Sequence, residues 1–281
     1  MSQTWKITPT ATEEVNVSDM TSLDAITRQL PDGYYSTFRT FDGCTRVLGL
    51  TDHLRRLYKP VPTPGVNESF LRRQLLALLK PYRPDEARVR VMMTKQGQVY
   101  IAMEPLKMLR REIYESGVCV QTTDLLRDHP RLKSTSFIAT SDSERKHIAQ
   151  EGIFEALLVK NGEILEGMTS NFFYVVRRDA RSVPPCLYTA RDNILLGITR
   201  KTVIEVARGR GVEVKYEPLK QNRLALVDEA FITSSSRGIV PVVKIDNVII
   251  GQGSPGPVTK ELAAAYDHYV IEEAERILPV R

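Results

Sequence analysis

The chain has 281 residues, of which 42% are hydrophobic and 26% charged, so it is a globular protein that can bury one large core or two smaller ones, and two domains are expected. Its formal net charge of +5 is mild and scattered among acids, which argues against a nucleic-acid-binding stripe. The N-terminal stretch lacks the basic-then-apolar layout of a secretory signal and no apolar run is long enough to cross a bilayer, so a cytoplasmic protein without membrane contact is expected.

In chain order, Asp32-Gly33 opens the stretch YYSTFRTFDGCTRVLGL, where two strand-like runs flank Asp42-Gly43 and predict a β-hairpin. TDHLRRLYKP reads as a short helix with Thr51 or Asp52 as N-cap. NESFLRRQLLALLKPY reads as a longer one, capped by Asn67, with Phe70, Leu71, Leu75, Leu78 and Leu79 on one face. ARVRVMMTKQGQVYIAMEPL predicts a second hairpin turning at Lys95 to Gly97. In it Arg88 and Arg90 share a strand face opposite Val89 and Val91. Ordinary surface charge and a clamp for a substrate carboxylate both remain open for that pair. The charged segment Pro105 to Gly117 has no period of 2, which divides the chain into a small domain at 1–105, a linker at 106–117 and a larger domain at 118–281.

The second half starts with the strand-like GVCVQTTDLL, and RLKSTSFIATSDSERKHIAQEG holds a helix ending on Gly152 as C-cap. FEALLVKNGEILEG gives two strands about a turn at Asn161-Gly162, and NFFYVV a third. Glu166 therefore sits with small polar residues between apolar runs, a carboxylate held inside the protein. LLGITRKTVIEVARGRG starts a helix at Gly-Ile-Thr, whose first N–H groups and positive dipole end suit an anion. EAFITSSSRGIVPVVKID runs a strand into a serine-rich turn, a second place for converging donors. A last helix is expected from about Pro257 to Leu278. Cys44, Cys119 and Cys186 stand in no metal or redox spacing and the four histidines form no metal motif, so reduced thiols and no metal are expected.

Five ordered blocks, HLRRL, RLKS, ILEGMTSNFF, LLGITR and DEAFITSSSRGIVPV, resemble the class IV (fold type IV) pyridoxal-phosphate-dependent aminotransferases, the family of branched-chain and D-amino acid aminotransferases and aminodeoxychorismate lyase. The resemblance runs from about Gly33 to Pro257. It implies an α+β fold with a small N-terminal α/β domain, a larger C-terminal pseudo-barrel domain, pyridoxal 5'-phosphate in the cleft between them, and a homodimer.

Carried over residue by residue, the resemblance makes Lys133 the lysine that forms the internal Schiff base and shuttles the proton at the substrate Cα. Glu166 becomes the acid that pairs with the pyridinium nitrogen and keeps the ring an electron sink. Arg56 matches the arginine on the cofactor phosphate, with Arg55 facing elsewhere; the amides of Ile198 and Thr199 and the hydroxyl of Ser235 join it. Leu195 matches the apolar residue on the ring face and Asn171 the residue that closes the Glu166 turn. Tyr35, Arg88, Arg90, and the backbone N–H groups of Ser236 and Arg237 are the expected substrate contacts.

Phe137 stands where branched-chain enzymes usually have a tyrosine, and LPDGYYSTFR alters the usual glycine-rich pattern before the first hairpin. Both departures bear on the substrate. The expected reaction is transfer of an amino group from an amino acid, branched-chain first, to a 2-oxo acid. D-amino acid transamination, aminodeoxychorismate lyase activity and a cofactor-holding protein without turnover stand as alternatives.

Overall fold

The computed structural model describes residues 2–18, 21–176 and 185–278. The chain forms two compact units. One takes the chain up to Lys107, the segment Leu132–Thr140 and the residues from Val270 onward; the other takes Met108–Arg131 and Ser141–Tyr269. The residues at 132–140 and from 270 thus count with the N-terminal unit and not with the C-terminal one, and the expected linker carries a helix, Arg111–Ser116.

The N-terminal unit is built on a five-stranded antiparallel sheet in the order Thr12–Glu14, Gln3–Ile7, Val99–Pro105, Ala87–Thr94, Gly33–Arg39. The strand period of 2 divides its side chains. Val89, Val91 and Met93 enter a core with Leu54, Leu57, Leu71 and Leu75 from helices Leu50–Tyr58 and Glu68–Leu79, while Met92 joins Tyr35, Tyr100 and Ile138 in a separate cluster. Asn67 Oδ1 caps the second helix by accepting from the Phe70 amide at 2.8 Å.

Three local expectations are corrected by distant partners. At Asp42-Gly43 there is a turn with a single Phe41–Arg46 bridge and no hairpin ladder. The Gly43 and Cys44 amides donate to the Glu86 carboxylate at 2.8 and 3.1 Å, and strand Arg46–Val47 pairs with Glu275–Arg276. Helix Leu50–Tyr58 starts after Gly49, not at Thr51 or Asp52; the Thr51 amide is served by Glu275 at 3.1 Å and the Thr51 hydroxyl by the same carboxylate at 2.6 Å. The last helix ends at Glu273, short of Leu278, because Glu275–Arg276 is drawn into that strand pair.

The C-terminal unit carries a ten-stranded sheet. Its order is Glu213–Lys215, Cys186–Thr189, Asn171–Val176, Glu229–Ser234, Gly238–Ile245, Val118–Thr123, Glu155–Lys160, Glu163–Gly167, Leu219–Lys220, with Val248–Ile249 beside Gly238–Ile245. Asn171 also pairs with Glu166, which ties two strands that stand apart in this order and gives the sheet its barrel-like closure. Phe172, Tyr174, Ile232, Val240 and Leu157 fill one side of it. The hairpin at Asn161-Gly162 has positive φ at both residues, as a two-residue I′ turn needs. Among the described residues no helix is long and apolar enough to cross a membrane.

Candidate active site

In the N-terminal unit, Lys133 is held at the edge of the sheet. Its carbonyl accepts from the Tyr35 amide at 2.9 Å, and the Thr135 amide donates to Gly33 O at 2.9 Å. Gly33 is required there, because a Cβ would stand 2.1 Å from Met93 O. Lys133 Nζ lies 4.8 Å from the centre of the Tyr35 ring, and Arg90 Cζ lies 4.6 Å from the same ring. Phe137, at the position of the missing tyrosine, is buried in the short helix Ser136–Thr140.

Arg90 answers neither expectation drawn from its strand position. It is buried, ion-pairs with Asp24 at 2.7 Å, and donates to Leu23 O and Thr27 Oγ1 at 2.9 Å and to Thr37 Oγ1 at 3.0 Å. Its guanidinium fastens helix Leu23–Arg28 to the sheet instead of waiting for a substrate. Arg88 pairs with Glu104 at 2.9 Å, and burial lowers the proton affinity of its guanidinium from the ordinary value.

Arg56 lies on helix Leu50–Tyr58, with Nη2 donating to Ser36 Oγ at 2.9 Å. Three positions back, one turn away on the same face, His53 is buried with Nδ1 2.8 Å from that hydroxyl. Burial first, then the nearby cations Arg56 and Lys133, hold the imidazole well below its usual proton affinity. Arg55 is exposed and pairs with Asp52 at the surface.

In the C-terminal unit, Glu166 is buried at the end of strand Glu163–Gly167. Its Oε1 accepts from Arg127 Nε at 2.9 Å, and its Oε2 from Asn171 Nδ2 at 3.1 Å and the Leu195 amide at 3.0 Å. Asn171 does more than close the turn, since Nδ2 also reaches Leu195 O at 2.8 Å. A Cβ on Gly197 would stand 2.1 Å from Asn171 Oδ1, which explains the glycine that precedes helix Ile198–Gly209. That helix has no side-chain N-cap, so its opening amides, those of Ile198 and Thr199 among them, face outward along the dipole. Thr199 Oγ1 lies 3.4 Å from Ser235 Oγ, so the helix start and the serine turn meet.

Arg237 is placed differently from the expectation. Its amide closes the turn on Ser234 O at 3.2 Å, and its side chain reaches Thr169 Oγ1 at 2.6 Å, Ser234 Oγ at 3.0 Å and the buried Glu155 at 3.2 Å. Thr169 and Ser170 donate to the same Glu155 oxygen. Arg237 thus ties the serine turn that contains Ser236 to the turn after Glu166. Reading the sequence did not single out Arg127, Glu155, Ser36, His53 or Asp24. The one local signal was an acid opening the apolar strand FEALLV; Arg127 gives none, because its partner is 39 positions along.

These groups fit pyridoxal 5'-phosphate. In the C-terminal unit an uncapped helix start with two hydroxyls suits a phosphate dianion, and a carboxylate already held by three donors needs no reorganisation to receive a protonated ring nitrogen; in the N-terminal unit the Arg56 guanidinium is of the kind that binds phosphate. A two-unit α+β chain with a barrel-like sheet and this donor set is the class of fold type IV enzymes.

The chain belongs to the amino-transferase class IV family, whose model matches residues 33–245. It is a pyridoxal-phosphate-dependent aminotransferase acting on amino acids and 2-oxo acids. It is 28% identical over 270 residues to the D-alanine aminotransferase of Bacillus licheniformis, covering 88% of this chain and 91% of that one. It is 29% identical over 252 residues to a putative branched-chain-amino-acid aminotransferase of Methanocaldococcus jannaschii, covering 82% and 84%. In fold it resembles the crystal structure of a putative branched-chain amino acid aminotransferase from Thermotoga maritima, with TM-score 0.78, 25% identity and 97% and 98% of the two chains covered.

Proposed function

We propose that the enzyme moves the amino group of a branched-chain L-amino acid to a 2-oxo acid such as 2-oxoglutarate. The observation that carries the chemistry is the buried Glu166 carboxylate gripped by Arg127, Asn171 and the Leu195 amide. Pyridoxal 5'-phosphate, when bound, supplies the electron sink for the pair left on the substrate Cα. Glu166 is the residue for its ring nitrogen, and Lys133 supplies the amine for its aldehyde and carries the proton at Cα. Arg56, the Ile198 and Thr199 amides and Ser235 hold the phosphate, Leu195 packs on the ring, and Asn171 keeps Glu166 in place. Tyr35 and Ser236 are the substrate contacts. A cytoplasmic homodimer belongs to the same reading.

Two observations support an apolar substrate side chain. Arg88 and Arg90, whose charge was the reason to expect an acidic one at the N-terminal sheet, are each paired with a carboxylate. The similarity to the Methanocaldococcus and Thermotoga proteins, both described as putative branched-chain enzymes, points the same way. A D-amino acid aminotransferase is the second reading, favoured by the similarity to the Bacillus D-alanine enzyme over most of both chains.

The deciding experiment adds single amino acids to the cofactor-loaded protein and follows its visible absorption band in one turnover. We expect L-leucine, L-valine and L-isoleucine to bleach it with release of their 2-oxo acids. A D-alanine rate above theirs would establish the second reading, and a band that no amino acid moves would mean a cofactor-holding protein without turnover.

A further inference from the structure

We propose that Ser36 and His53 form a buried positioning relay that holds the Arg56 guanidinium in place for the cofactor phosphate. The relay depends on the reading of Arg56 as a phosphate ligand and supplies what that reading lacks, the side chains that fix where the guanidinium stands.

The direction of each hydrogen bond follows from the inventory of donors. A guanidinium only donates, so Ser36 Oγ accepts from Arg56 Nη2 across 2.9 Å. Ser36 is fully buried, so its own proton needs an acceptor, and we assign that role to His53 Nδ1, 2.8 Å away. Nδ1 is therefore the acceptor, and the imidazole proton sits on Nε2. A protonated imidazole would have no acceptor to offer and would break the chain. The environment opposes that state, since the ring is buried and faces two cations, Arg56 and Lys133.

His53 Nε2 is buried and meets no hydrogen-bond partner among the described residues. The ring packs beside Phe38 with centroids 5.2 Å apart, in surroundings where a phenyl or leucyl side chain would bury no unpaired donor. Packing alone thus favours an apolar residue at position 53. What histidine adds is an acceptor for Ser36, and through it a fixed partner for Arg56. Arg55, the neighbouring arginine, has a surface carboxylate for a partner and no such buried support.

The test compares binding of pyridoxal 5'-phosphate with binding of pyridoxal, which lacks the phosphate, to cofactor-stripped wild type, Arg56→Ala, Ser36→Ala, His53→Phe and His53→Asn. We expect Ser36→Ala and His53→Phe to weaken pyridoxal 5'-phosphate binding about tenfold and pyridoxal binding less than about twofold. His53→Asn keeps an acceptor near the place of Nδ1 and should recover most of the loss. If Arg56→Ala weakens both ligands equally, the phosphate reading of Arg56 fails and the relay fails with it. If Arg56→Ala is selective for the phosphate while Ser36→Ala and His53→Phe are not, Arg56 keeps its role and the relay is overturned. Ser36→Ala removes one hydroxyl only, so it decides the matter even if His53→Phe does not fold.

Discussion

Arg127 Nε donates to Glu166 Oε1 across 2.9 Å, and both side chains are buried, 5% and 2% exposed. A second donor of the same guanidinium reaches Met168 O at 2.6 Å, so Arg127 grips the carboxylate and the backbone that follows it. Removing one member of such a pair leaves a charge in low dielectric. We expect Arg127→Met to destabilise the protein by about 3 kcal/mol, and by much less when Glu166 is already Gln. Thermal unfolding of the wild type, both single variants and the double variant measures the coupling; additive effects would mean the pair is not coupled.

On the proposed roles of Lys133 as the amine and the Cα proton carrier, Lys133→Ala should abolish the visible band of the loaded protein and lower turnover by at least about a thousandfold. Cofactor should still bind through its phosphate. A variant that kept the band and normal turnover would assign the amine to another lysine.

Arg90 and Arg88 are expected to behave differently although they share a strand face. Arg90→Met takes the anchor from helix Leu23–Arg28 and should cost about 2–3 kcal/mol of stability. Arg88→Ala, with its side chain 35% exposed, should cost less than about 1 kcal/mol. In Arg88→Ala the ratio of kcat/KM for glutamate to that for leucine should stay within about twofold of wild type. A selective loss for glutamate of tenfold or more would restore the carboxylate clamp.

His53 gives a pH dependence of definite sign. Its folded proton affinity lies below the ordinary imidazole value of 6.5, so the unfolded chain takes up the proton first as the pH falls. The stability linked to this group is complete above about pH 6.5 and is lost below it, by roughly 1.4 kcal/mol for each further unit until the folded imidazole itself titrates. Denaturant unfolding at a series of pH values should show His53→Asn with a correspondingly shallower decline than wild type.

Gly197→Ala tests the hold on Asn171 without touching a charged group. Gly197 has an ordinary φ of −69°, so the substitution brings no backbone strain, only a Cβ 2.1 Å from Asn171 Oδ1. We expect a loss of about 1–3 kcal/mol of stability together with slower turnover, as Asn171 is pushed away from Glu166 and Leu195 O. Unchanged kinetics would mean that Asn171 can move without disturbing Glu166.

The parts of the fold that were legible in the sequence are those set by neighbouring residues. Asn67 caps its helix through an amide three positions on, and Asn161-Gly162 turns its hairpin because both residues accept positive φ. What could not be read is set by partners far along the chain. Glu86 takes the amides of the Asp42-Gly43 turn, Glu275 takes those of Thr51, and Glu155 takes Arg237 from 82 positions away. The site divides in the same way. Glu166 was conspicuous as an acid between apolar runs, whereas Arg127 resembles any surface arginine until the fold brings it to Glu166. Arg88 and Arg90 were correctly placed on one strand face, but the helix that covers Arg90 does not follow from strand periodicity.

The N-terminal unit is assembled from three separate stretches of chain, and that matters during synthesis. A ribosome delivers residues in order, so the sheet is complete long before Leu132–Thr140 emerges to lie along Gly33–Arg39. Helix Leu50–Tyr58, which carries His53 and Arg56, waits longer still, because the carboxylate that receives its Thr51 amide is that of Glu275. The nascent N-terminal half is therefore an unfinished structure with an open helix start, and it closes only once Glu275 has been added to the chain.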